Sequence, residues 1–221
     1  RFDDALNLLV QLLSKTEVSW KSKYYDFGPL TITPRPVQLP HPPIWIAAIT
    51  QPAIAGSVKR GFNIMTTPLR DPMEAVRMQT NAFFDALPSG GKQRFSMLRM
   101  GYVARDEADA REKVELAYDN HRRFVNVFNT PGIVREGAIE PIAVEESLDD
   151  IRERLIIGTA EECIEKLGPY AELGIHEIQL NMNFGAGHRD VMASLERFGA
   201  RVMPHFSRAE RAAPALAASS R

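Results

Sequence analysis

An Ile-rich run, Pro43-Ile44-Trp45-Ile46-Ala47-Ala48-Ile49-Thr50, constrains this chain most. Residues 51–60 follow it with a helical pattern, and a second apolar run, Gly61-Phe62-Asn63-Ile64-Met65-Thr66-Thr67-Pro68, closes the unit. The order predicts strand, helix, strand. Buried parallel strands are continuous apolar runs, and the crossover between them is normally a helix. In α/β folds, ligands meet the carboxyl ends of such strands. Thr50, Thr66 and Thr67 stand at the ends of two neighbouring strands and are therefore candidate site residues.

The rest of the chain repeats the alternation. Phe2, Leu6, Leu9 and Leu13 carry helical spacing over three turns. Val18, Trp20, Tyr24 and Tyr25 lie among polar residues and suggest short exposed strands or a hairpin. Pro34 and Pro36 cannot belong to a central strand, and Pro40, Pro42 and Pro43 stiffen the approach to the first buried one. Asp71-Pro72 starts a helix that runs to Pro88, a strand covers 95–104, and Asp106 begins another helix to about Phe128. Residues 129–147 read as an irregular loop over one end. Thr159-Ala160-Glu161-Glu162 is a capping box, so a helix starts there and stops near Gly174. A last strand covers 175–184 and a final helix 188–203. Residues 207–221, rich in Ala, Ser and Arg, are expected to form a disordered tail.

Four strands, each followed by a helix, mean an α/β fold with a parallel sheet. A complete (β/α)8 barrel of the TIM type needs about 250 residues. Four such units behind a leading helix with no strand before it match the second half of one. An open doubly wound sheet fits the alternation too, but no Gly-rich phosphate fingerprint follows a strand. The chain opens on Arg1 directly in a helical pattern, which leads us to expect that it begins inside a larger protein.

Strand parity adds a charge argument. On one face of 175–184 stand Glu177, Gln179, Asn181 and Asn183; the other is apolar, and helices demand the apolar face. The polar face is thus expected to point into a lumen. Arg99 shares a face with Met97 and Gly101. A lumenal Arg99 needs a partner, for which Glu177 is the expected residue; the alternative is a surface charge at a strand edge.

Composition narrows the classes. Net charge is −1 over 221 residues with 44% apolar, so no broad electrostatic case exists for a nucleic-acid partner. No apolar run approaches a membrane span, and no export signal is expected. The single Cys163 suits a reducing compartment, and a cytoplasmic protein is expected. Histidines 41, 121, 176, 188 and 205 show no ligand spacing, so no metal is expected. No nucleophile elbow or Cys/His pair occurs.

Several segments, in order, resemble the bacterial luciferase-like, flavin-dependent monooxygenase family. They are Tyr24-Tyr25, Pro34-Arg35-Pro36-Val37-Gln38, Pro42-Pro43-Ile44-Trp45-Ile46-Ala47 and Gly61 through Pro68. Ile157-Gly158-Thr159-Ala160-Glu161-Glu162, Leu173-Gly174-Ile175-His176-Glu177 and Phe198 through Phe206 follow. The likeness covers residues 1–206, as the C-terminal portion of a luciferase-like barrel domain. It implies an oxidoreductase that uses reduced FMN, or the deazaflavin F420, and inserts oxygen from O2 into a small organic substrate. A flavin reductase is an implied partner, and a homo-oligomer is expected because an open half-barrel exposes sheet edges.

The resemblance also implies a site. In luciferase-like enzymes the loop after the fifth strand holds the flavin phosphate through hydroxyls and backbone N–H groups. Here that loop contains Ala48, Ile49, Thr50 and Ala53, and Thr66 and Thr67 lie at the next strand end. The family has an acid where Ile49 stands and a second hydroxyl where Ala53 stands. No catalytic residue is assigned, because the first four strands of the family have no counterpart. The alternative reading is a non-catalytic flavin-binding or partner subunit, or a degenerate half-barrel that acts as an interaction module.

Overall fold

The computed structural model describes residues 1–129 and 131–212; side chains of 208–212 are outside it. Contacts divide the chain into Arg1–Trp45 and Ile46–Arg221. In the first unit, helix α1 (Phe2–Ser14) is followed by an antiparallel hairpin of β1 (Val18–Lys21) and β2 (Asp26–Leu30). Asp4 ties helix to hairpin: it accepts from Trp20 Nε1 at 3.2 Å and from Ser22 Oγ at 2.7 Å. The Arg35 guanidinium donates to the Leu12 carbonyl at 3.1 Å, which anchors the Pro-rich segment on the end of α1.

The second unit is built on a five-stranded sheet. Its strands are β3 (Trp45–Ala47), β4 (Asn63–Thr66), β5 (Phe95–Val103), β8 (Ile156–Gly158) and β9 (Glu177–Asn181). β3 lies beside β4, with the Ala48 amide donating to the Met65 carbonyl at 3.0 Å. β5 is the hub. Along one edge its start pairs parallel with β4, Ile64 opposite Phe95 and Thr66 opposite Met97. It also pairs at two successive levels, residues 96–100 with β9 and 101–103 with β8, both parallel. Nine residues let one strand serve three neighbours.

Helices α2 (Gln51–Lys59), α3 (Met73–Ala86) and α6 (Ala160–Glu172) cover one face of this sheet. Ile54, Val58, Val76, Phe83, Cys163, Leu167 and Tyr170 pack there against Ala48, Ile64 and Met97. A second cluster joins Met100 and Tyr102 to Val114 and Ala117 of α4 (Glu107–Val127) and to Ile151 and Leu155. The expected alternation of strand and helix is therefore present. Both capping residues act as expected: Asp106 accepts from the Asp109 amide, and Thr159 with Glu162 forms a reciprocal capping box.

Four short elements, and a break in the last helix, were not anticipated. Residues 129–147 contain a minute hairpin, β6 (Val134–Arg135) with β7 (Ala138–Ile139). Ser147 opens a short helix, α5 (Leu148–Arg154), through its own capping box with Asp150. β8 follows at once, and its three residues are too few to register as an apolar run. The final helix is composite: α7 (His188–Arg197), a π turn over Phe198–Val202, then α8 (Met203–Ala212). Of the expected tail, residues 213–221 lie outside the described residues.

The expected pairing of Arg99 with Glu177 is wrong, and register explains it. Glu177 stands opposite Ser96 and shares its face, whereas Arg99, three residues on, projects to the opposite face. There it is 1% exposed and donates to the carbonyls of Pro68, Asp71 and Arg154. Its guanidinium also sits 5.7 Å from the Tyr170 ring centroid. Neutral carbonyl dipoles, not a carboxylate, hold this cation.

Candidate functional site

Alternation decides which strand-end residues reach ligand space. Along β3, β4 and the residues that directly follow them, Ala48, Ile64 and Thr66 are buried, while Ala47, Ile49, Met65 and Thr67 are exposed. The exposed set belongs to the face that α2, α3 and α6 leave uncovered. On that face Ser96 Oγ donates to Glu177 Oε1 at 3.1 Å and accepts from Gln179 Nε2 at 2.9 Å. One sheet thus has an apolar, helix-packed side and a partly exposed side that carries polar groups.

Thr50 occupies the N-cap position of α2 with extended backbone (φ −83°, ψ 143°), and its side chain makes no capping hydrogen bond. The residue is exposed. Simple helix capping therefore does not account for its hydroxyl. Pro52 follows in the first turn and contributes no N–H, while the first-turn amides of Gln51 and Ala53 have no acceptor within the helix. An exposed hydroxyl beside two such amides, at the positive end of a helix dipole, suits an anionic group.

The other expected contacts divide. Thr67 and Ala53 are exposed, as is Ile49, whose carbonyl is engaged from within the core. Ala48 is buried and its amide is committed to Met65. Thr66 is 1% exposed, and its hydroxyl donates to Gln79 Oε1 at 2.8 Å. Its side chain points into the α3 packing, because even-numbered positions of β4 face the helices. Gln79, in turn, donates through Nε2 to the Ile49 carbonyl at 3.2 Å. Sequence reasoning passed over Gln79. The signal was there: a polar residue three after Val76 and four before Phe83, on the apolar stripe of α3.

The β4–α3 connection is pinned from several sides. Met100 donates its amide to the Leu69 carbonyl at 3.3 Å, beside the Arg99 contacts. Arg70, 7% exposed, bonds Asn120 and lies 4.7 Å from the Phe124 ring centroid. Burial pushes its guanidinium down to about 10, against the opposing pull of Asp71. Among the described residues, no group of three His, Cys, Asp or Glu side chains is placed to hold a metal ion. No described helix is long and apolar enough to cross a membrane.

The family model for luciferase-like monooxygenases matches residues 1–177. The chain belongs to that family. Among curated proteins it is similar to the oxygenase component of a flavin-dependent trigonelline monooxygenase from Acinetobacter baylyi, 28% identical over 90% of this chain. An uncharacterized Sinorhizobium fredii protein, y4vJ, is 24% identical over 92% of it. The chain spans 58% and 60% of the length of these two relatives. Among solved structures, monooxygenase RslO1 from Streptomyces bottropensis superposes with a TM-score of 0.74 at 22% identity, over 93% of this chain and 60% of that one. The oxygenating constituent of 3,6-diketocamphane monooxygenase from Pseudomonas putida, solved with FMN, gives 0.66 at 15% identity, over 91% and 62%. These two likenesses establish the fold.

Proposed function

We propose that this chain supplies the second half of a luciferase-like (β/α)8 barrel, and that it helps bind reduced FMN in a monooxygenase acting on a small organic substrate. The observation that carries this reading is Thr50: an exposed hydroxyl that caps nothing, set at the N-terminus of α2 on the carboxyl edge of the sheet. Thr50 with the amides of Gln51 and Ala53 would hold the flavin phosphate. Ile49 and Thr67 border the same edge. Bound reduced FMN supplies the electrons that activate O2. The chain's own part is to bind and orient the flavin and to keep an apolar wall behind it. The curated relative that is flavin-dependent supports FMN over F420, although structures with F420 share the fold. That relative is also an oxygenase component, which supports a separate flavin reductase as the electron donor.

Anaerobic titration of the purified protein with reduced FMN tests the reading. Saturable binding that weakens about tenfold in Thr50→Val is expected, the size of one hydrogen bond to a charged group. Absence of binding overturns it. Binding without substrate oxidation when reductase and O2 are supplied would favour a flavin-binding subunit instead.

A further inference from the structure

We infer that Gln79 is a positioning residue for the flavin phosphate: its buried amide locks the end of β4 to the end of β3 and so fixes where α2 begins. This inference rests on the proposed function. It starts from three groups that chemistry allows to meet in only one way. The Ile49 carbonyl can only accept, so it must face the Gln79 NH2; the Gln79 oxygen then faces the Thr66 hydroxyl, which donates. The distances are 3.2 Å and 2.8 Å, and Gln79 and Thr66 are 6% and 1% exposed.

The consequence lies in the connectivity. Ile49 immediately precedes Thr50, and α2 starts one residue later. A carbonyl held at Ile49 sets the direction in which the chain leaves β3. It thereby sets the orientation of the Thr50 hydroxyl and of the Gln51 and Ala53 amides. Thr66, expected from sequence to touch the flavin, instead acts through Gln79. The Thr66–Gln79–Ile49 relay serves one function, the aim of the phosphate donors.

Comparison of FMN with riboflavin, which lacks the phosphate, isolates that function. The ratio of their affinities for the reduced forms is the readout, measured anaerobically on wild type, Gln79→Leu, Thr66→Val, Thr66→Ser and Thr50→Val. The expected result is a wild-type preference for FMN that drops about fivefold in Gln79→Leu, with riboflavin affinity nearly unchanged. Thr66→Val should move the ratio in the same direction by less, and Thr66→Ser, which keeps the hydroxyl, should restore it. If Gln79→Leu fails to fold, the Val and Ser pair at Thr66 answers the same question. Equal losses for both ligands in Gln79→Leu and Thr66→Val would show a structural role alone and overturn the inference. A ratio lost in Thr50→Val but kept in Gln79→Leu would overturn it and leave the proposed function standing. A wild type without preference for FMN would overturn both.

Discussion

Lys113 Nζ lies 3.1 Å from Asp190 Oδ2 and so joins α4 to the first turn of α7. The ammonium also meets Glu112 at 2.7 Å and Asp109 at 3.4 Å, and only 3% of its side chain is exposed. Asp109 is more enclosed still, at 1%. Removing one partner of a buried pair strands the other charge. Lys113→Met is expected to cost about 3 kcal/mol in urea unfolding. Adding Asp109→Asn should recover part of that loss.

Asp109 also gives an acid limb to stability. Burial would raise its carboxyl, but the Arg105 amide and the neighbouring Lys113 and Arg105 cations hold it below the usual 3.8. A depressed folded value means that its stabilisation is complete above 3.8 and is lost as pH falls through the lower, folded value. Denaturation midpoints measured from pH 5 down to about 2 should fall more steeply in wild type than in Asp109→Asn. Equal slopes would assign the acid limb to other carboxylates.

Cys163 is fully buried, and burial pushes its thiol up to about 12. Only the thiolate reacts readily, so a disulfide reagent at pH 8 should leave the native thiol unlabelled. In denaturant, labelling should be complete. Fast labelling of native protein would mean that α6 opens locally.

The Arg99 contacts separate two substitutions that sequence reasoning would have coupled. Arg99→Met leaves three carbonyls without their donor, that of Pro68 buried and those of Asp71 and Arg154 partly so, and a loss of about 3 kcal/mol is expected. Glu177→Gln should change stability by less than about 0.5 kcal/mol, because the side chain is 42% exposed and its nearest cation, Arg94, is 4.0 Å away. Chemical denaturation of both variants checks the pair.

Much of the fold was legible in the chain itself. The Ile-rich run before Thr50, the capping residues Asp106 and Thr159 and the Gly174 stop each act locally, within a turn or two, so their signals sit in adjacent residues. β8 and α5 were not legible. β8 is three residues long and pairs only with the end of β5, residues 101–103, beyond the stretch that β4 pairs. The candidate site was half legible. The place of Thr50 at a strand end was legible because strand ends are read from apolar runs, but the difference between Thr66 and Thr67 depends on which parity faces the helices.

The sequence by itself determined the order of β3, β4, β5 and β9 with the helices that follow them, and the family, because periodicity and capping are written in neighbouring residues. Only the tertiary structure decided which partners meet. Arg99 turned from Glu177 to three carbonyls, and Thr66 turned from ligand space to Gln79, thirteen residues away. The physical reason is that a buried polar group must be satisfied by whatever packing brings within about 3 Å, and that proximity is set by strand register and helix docking.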